Sequence, residues 1–132
     1  MRILIVEDDF ISRNFLQHIL SEFGQCDIAV NGREAVEAFK RSWGDSRPYD
    51  LICLDIMMPD LDGHEALGQI REFEKQMEVK SHAQTIVIMT TSLNDKKNVS
   101  DAFYKGGATS YFVKPIDRER LVEELKLLGL LG

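Results

Sequence analysis

Leu51-Ile52-Cys53-Leu54-Asp55-Ile56-Met57-Met58-Pro59-Asp60-Leu61-Asp62-Gly63 is the stretch that decides the fold. Leu51 to Leu54 are all apolar, with no alternation. Such a run reads as a strand buried on both faces, as in a parallel sheet covered by helices. It ends abruptly on a carboxylate, Asp55. The loop from Met58 to Gly63 follows. Ala66, Leu67, Ile70, Phe73 and Met77 then recur at helical spacing. The unit is a strand, a loop and a helix, with an acid where the strand stops.

The same unit repeats to either side. Ile3 to Val6 is an apolar strand, and Ile11, Phe15, Leu16, Ile19, Leu20 and Phe23 mark a helix over 10–23 that Gly24 closes. Asp27 to Val30 reads as a second strand and Asn31-Gly32 as a turn. Ala35, Val36, Phe39 and Trp43 mark the second helix. After the third unit, Glu78 to Thr85 is a polar connection. Ile86 to Met89 is a fourth strand reaching Thr90 and Thr91. Val99, Ala102 and Phe103 mark a fourth helix, closed by Gly106-Gly107. Ser110 to Val113 is a fifth strand. Leu121, Val122, Leu125 and Leu128 mark a fifth helix, with Asp117 as its N-cap. The apolar tail from Leu127 reads either as the rest of that helix or as the stub of something longer. Strands joined by helical crossovers run parallel, with helices on both sheet faces. The expected fold class is α/β, and residues 1–132 are expected to form one domain.

Composition narrows the function. The 132 residues carry a net charge of -6, which argues against nucleic-acid binding and suits a cation or a basic partner. The run before Glu7 is too short for a signal peptide core, and no segment is long enough for a membrane span, so a cytoplasmic protein is expected. The cysteines are Cys26 and Cys53, and both read as buried reduced thiols. His18, His64 and His82 lie on separate elements without ligand spacing. The methionines read as core.

Ligands of open α/β sheets bind beyond the carboxyl ends of the strands. Those ends carry Glu7-Asp8-Asp9, Asp55, Thr90-Thr91-Ser92 and Lys114-Pro115. A strand order of 2-1-3-4-5 sets strands 1, 3, 4 and 5 side by side and brings the charged ends together. Crowded carboxylates call for a cation. All-oxygen donors point to Mg2+, and Mn2+ also fits. A carboxylate can take up a phosphoryl group, Lys114 can pair with one of its oxygens, and a hydroxyl can donate to another. Asp9 suits the start of the first helix instead.

Taken in order, these motifs resemble the receiver domain of two-component response regulators, and stand-alone chemotaxis-type receivers in particular. They are Val6-Glu7-Asp8, Asp55 through Pro59 to Gly63, Met89-Thr90-Thr91-Ser92, Gly107-Ala108 and Tyr111-Phe112-Val113-Lys114-Pro115. The resemblance implies a flavodoxin-like doubly wound sandwich with sheet order 2-1-3-4-5. It implies Asp55 as phosphoacceptor and Asp8 as direct metal ligand. Glu7 would act mainly through water, and Met57 would lend its carbonyl. Lys114 would pair with the phosphate, Tyr111 would be the switch aromatic, and the bond before Pro115 would be cis. Counting back from Lys114 selects Ser92 as the switch hydroxyl. Counting from the apolar strand selects Thr91, which is taken here, with one extra residue in the loop Leu93 to Asn98.

The implied function is a phosphorylation switch. A sensor histidine kinase or a phosphotransfer protein supplies the phosphoryl group, and the chain catalyses only its own phosphorylation and dephosphorylation. The face of the fourth helix, fifth strand and fifth helix is expected to bind a downstream protein or a second copy. Two rival readings are weaker. A phosphohydrolase using an aspartate nucleophile usually carries a second Asp two residues on, where this chain has Met57. A flavin module needs a hydroxyl-rich phosphate loop after the first strand, where Glu7-Asp8-Asp9 would repel a phosphate.

Overall fold

The computed structural model describes residues 1–91 and 107–132. Its strands are β1 (Arg2–Val6), β2 (Gln25–Ala29), β3 (Leu51–Asp55), β4 (Ile86–Thr91) and β5 (Ser110–Val113). Its helices are α1 (Phe10–Leu20), α2 (Gly32–Gly44), α3 (Gly63–Gln76) and α4 (Arg118–Leu127), the last being the fifth helix of the sequence pattern. A 3-10 turn, Ser81–Ala83, interrupts the connection into β4. The expected fourth helix, Ser92 and the loop Leu93 to Asn98 lie outside the described residues.

All five strands are parallel, in the order β2-β1-β3-β4-β5. Successive side chains of a strand point to opposite faces, and the apolar runs therefore feed two cores. Leu4, Val6, Ile52, Leu54, Val87 and Met89 pack with Val36 and Phe39 of α2 and Leu67 and Ile70 of α3. Ile3, Ile5, Leu51, Cys53 and Ile88 pack with Leu16 and Ile19 of α1 and Leu121 and Leu125 of α4. Each fully buried Leu or Ile contributes about 1.5–3 kcal/mol against exposure.

Side-chain oxygens start the helices. Asp9 accepts from the Ser12 amide, Asn31 from Glu34, Asp117 from Glu119, and Asp62 closes a reciprocal capping box with Glu65. These caps set where each helix leaves a strand end, and so where the site lies.

Several local expectations are corrected. Helix α1 stops at Leu20 rather than Phe23, although the Gly24 amide still reaches the Leu20 carbonyl at 3.2 Å. Gly24 does not adopt a left-handed cap. A side chain there would collide with the Met1 carbonyl oxygen. Met57 and Met77 are exposed, while Met58 and Met89 are core. Cys26 is half-buried, whereas Cys53 is buried and its thiol is pushed up to about 12 by its apolar surroundings. The chain after α4 turns at Gly129 (φ 80°), which returns Leu130 and Leu131 to the α1–α4 core instead of prolonging the helix.

Candidate functional site

At the carboxyl edge of the sheet the acids converge. Glu7 follows β1, and its amide is held by the Ala29 carbonyl at 3.1 Å. Asp55 closes β3, and its Oδ1 accepts from the Met57 amide at 3.2 Å. Gly63 lets the return of this loop pass against Asp55, since a side chain there would collide with the Asp55 carbonyl oxygen. Lys114 follows β5, where its amide continues the ladder to the Thr91 carbonyl at 2.8 Å. The Lys114-Pro115 peptide bond is cis.

Lys114 Nζ lies 2.8 Å from Glu7 Oε2 and 3.5 Å from Asp55 Oδ2. Glu7 is fully buried and Asp55 is 3% exposed, while Asp8 is open to solvent. Ligand oxygens of Glu7, Asp8 and Asp55 lie within 4.8 Å of one another. Asp9 faces away and caps α1. Its carboxyl is held below the usual range by the Ser12 amide.

This arrangement strains the charge on Asp55. Burial raises its pKa first and the neighbouring Glu7 second, against the pull of Lys114, and the result is about 7. Burial also works against the charge of Lys114, but Glu7 and Asp55 outweigh it and hold the ammonium above its ordinary value. Among the described residues, one cation, Lys114, stands against three carboxyl groups, which leaves the pocket short of positive charge. A divalent ion would supply the missing charge. The donors are hard oxygens, one of them exposed and able to keep water at the ion, so the residues fit Mg2+.

Strand alternation separates two neighbouring threonines. Asp55 stands opposite Thr90 in the β3–β4 register. Ile88 and Cys53 lie in the α1–α4 core, so Thr90 and Asp55 share that face. Met89 lies in the opposite core, and Thr91 shares its face, away from Asp55. The Thr90 hydroxyl is buried without a hydrogen-bond partner among the described residues. The register thus sets the Thr90 hydroxyl, and not that of the Thr91 taken from the sequence, on the Asp55 side. β4 is apolar on both faces, and the residue pattern alone does not say which way its last side chains point. Counting in register from Asp55 supplies the missing signal.

Tyr111 pairs with Met89, is 38% exposed, and sits on the face opposite Asp55 and Lys114. The Met57 side chain is 58% exposed at the rim of the pocket. Phe10 and Ile11 of α1 are also largely exposed. Ile11 and Phe15 line a groove of about 270 Å3 with Leu16, Lys114, Pro115 and Ile116. Sequence reasoning passed over one further residue, Arg13, whose guanidinium lies 3.1 Å from the Glu7 carbonyl.

The chain belongs to the response regulator receiver domain family, whose model matches residues 3–126. It is 36% identical over 125 residues to the chemotaxis protein CheY of Halobacterium salinarum, an alignment that covers 94% of this chain and 92% of that protein. It is 33% identical to hybrid signal transduction histidine kinase L of Dictyostelium discoideum, where it spans 7% of the length. Among solved structures, the receiver domain of Saccharomyces cerevisiae Ssk1, crystallised with the histidine phosphotransfer protein Ypd1, superposes with a TM-score of 0.82 at 31% identity. That match covers 98% of this chain and 88% of the other. CheY in the CheX-CheY-BeF3-Mg2+ complex of Borrelia burgdorferi gives a TM-score of 0.80 at 31% identity, covering 96% and 88%. The fold is thus the flavodoxin-like receiver fold, and the protein is a two-component receiver. No helix among the described residues is long and apolar enough to cross a membrane.

Proposed function

We infer that residues 1–132 form one receiver domain, and that Asp55 is the phosphoacceptor of a Mg2+-dependent signalling switch. One observation carries this reading. Asp55 ends a central strand inside a pocket where Lys114 and two further acids converge, and its own ionisation is held back there.

Glu7, Asp8 and Asp55 would hold the ion, with the Met57 carbonyl beside them. The bound ion supplies charge neutralisation at the transferring phosphoryl group. Ionised Asp55 attacks phosphorus through one carboxylate oxygen. An O–P bond forms as the donor's N–P bond breaks, and the imidazole leaves with the bonding pair. Lys114 pairs with one phosphoryl oxygen as a point charge, and the Thr90 hydroxyl donates to another. Water attack on phosphorus reverses the state, releasing phosphate and restoring the carboxylate. These are reactions of the protein on itself, with no small-molecule substrate turned over.

A histidine kinase or histidine phosphotransfer protein is the proposed donor, supported by the Ssk1 receiver's complex with Ypd1. Two free cysteines suit a reducing cytoplasmic compartment. The readout surface is proposed at Tyr111, β5 and α4, where phosphorylation would shift a population toward binding a downstream protein or a second copy.

The test is intact mass after incubation with acetyl phosphate. The expected result is one added phosphoryl group in the wild type with Mg2+, and none with EDTA or in Asp55→Asn. Equal labelling of Asp55→Asn would overturn the assignment.

A further inference from the structure

The corner from Glu7 to Asp9 runs from the last ladder bond of β1, the Glu7 amide on the Ala29 carbonyl, to the start of α1. Its side chains are acidic throughout, so its carbonyl dipoles and its carboxylates crowd the same small volume. Two restraints come from within the corner: the Asp9 amide donates to Glu7 Oε1 at 3.2 Å, and Asp9 caps α1. A third comes from Arg13, one turn into the helix and half-buried. Its Nη1 donates to the Glu7 carbonyl at 3.1 Å and lies 3.5 Å from the Asp8 carbonyl. Its guanidinium also lies over the Phe10 ring, 5.5 Å from the centroid. The Arg13 amide closes the first turn of α1 onto the Asp9 carbonyl at 2.9 Å. One residue therefore grips the backbone of both acids from the helix that follows them.

We propose that Arg13 is a positioning residue for the metal site: by holding the Glu7 and Asp8 carbonyls, it fixes the direction in which those two carboxylates present themselves to a divalent cation. This rests on reading Glu7, Asp8 and Asp55 as the metal site. Asp8 is the carboxylate that most needs such help. It is exposed, and without a restraint its backbone has freedom that binding would have to remove. Partners that orient metal ligands commonly matter to affinity roughly ten-fold or more.

The sign of the effect separates this role from simple electrostatics. Arg13 is a cation beside a cation site. If charge alone mattered, removing it would tighten Mg2+ binding. If orientation matters, removing it weakens binding although a repulsive charge has gone.

The experiment is a Mg2+ titration followed by amide NMR shifts, on wild type, Arg13→Met, Arg13→Lys and Asp8→Asn. Arg13→Met keeps the aliphatic stem on Phe10 and a good helix former. The expected Kd is about ten-fold weaker for Arg13→Met, with Arg13→Lys between it and wild type. The metal-free spectrum of Arg13→Met should stay dispersed as in wild type. An unchanged or tighter Kd in Arg13→Met overturns the proposal. If that variant does not fold, Arg13→Lys decides. It keeps the charge, but its Nζ ends one bond short of the Nη1 that reaches both carbonyls, and a Kd equal to wild type overturns the proposal. Asp8→Asn guards the premise. Wild-type binding that Asp8→Asn leaves intact, or no binding by the wild type, sinks the metal-site reading itself. That is a different result from normal wild-type binding with an indifferent Arg13.

Discussion

Four acids and two threonines at one sheet edge are told apart by environment rather than by residue type. Asp9 is exposed and tied to a helix amide, so its charge is easy to hold and it serves the fold. Asp8 is exposed next to a buried Glu7 and keeps access to water. Asp55 is buried beside Glu7, and both hold back its ionisation. Thr90 and Thr91 differ by one step along β4, and one step in a strand reverses the face. From this follows a paired prediction. Thr90→Ala removes the hydroxyl on the Asp55 side and is expected to slow phosphorylation by acetyl phosphate roughly hundred-fold, the scale for losing a donor to developing charge. Thr91→Ala, on the far face, is expected to stay within a few-fold of wild type. Rates from the mass assay decide it, and the reverse order would return the role to Thr91.

At the scale of elements, α3 shows how a sequence pattern can name the right helix and stripe and still miss where the stripe ends. Of the apolar positions, Ala66, Leu67 and Ile70 are buried and Phe73 packs against the core, but Met77 is exposed. The buried face ends instead on a residue the pattern passed over, Glu74, which is fully buried. Glu74 is legible only with its partners. Its Oε1 accepts from Arg71 Nη1 at 2.7 Å and its Oε2 from the Thr85 amide at 2.8 Å. Arg71 also donates to the Thr85 carbonyl at 2.8 Å and, through Nε, to the Gly107 carbonyl at 3.1 Å. The pair thus pins α3 to the entrance of β4 and to the chain that leads into β5. Arg71 is four-fifths buried, so Glu74→Ala leaves its charge without a counter-ion and the Thr85 amide without its acceptor. Breaking such a pair costs about 3–5 kcal/mol. The urea midpoint of Glu74→Ala is expected to fall accordingly, with the slope of the transition unchanged. A loss below about 1 kcal/mol would show the pair to be solvated and dispensable.

Over the whole molecule, the sequence revealed most where physics is repetitive. The alternation of strands and helices, the sheet order and the acids at strand ends follow from periodicity and family motifs, and Glu7, Asp8, Asp55 and Lys114 do meet. What stayed illegible depends on direction: the face of Thr90, the reach of Arg13 back along its own helix, and the burial of Glu74. The converging acids also couple the site to the stability of the entire fold. Asp55 titrates at about 7 in the metal-free protein against an ordinary value of 3.8. Its folded pKa is raised, so the native state holds a proton that the unfolded chain releases. Its contribution to stability is then fully present below about pH 4 and is lost as pH rises through about 7. Asp55→Asn cannot make this loss. Without metal, the melting temperature of Asp55→Asn minus that of wild type should therefore grow as pH is raised from 4 to 8. Mg2+ should close the gap from the other side, because it favours the ionised form. At a hundred times its Kd it adds about 2.7 kcal/mol to a protein that binds it only when folded. At pH 5 the proton competes with the metal, so the same Mg2+ concentration should stabilise wild type less than at pH 8. Thermal melts at the two pH values, with Mg2+ and with EDTA, measure both trends. A difference between wild type and Asp55→Asn that ignores both pH and metal would mean that Asp55 is ionised already in the empty pocket, held there by Lys114, and that the cation is not needed to ready it for transfer.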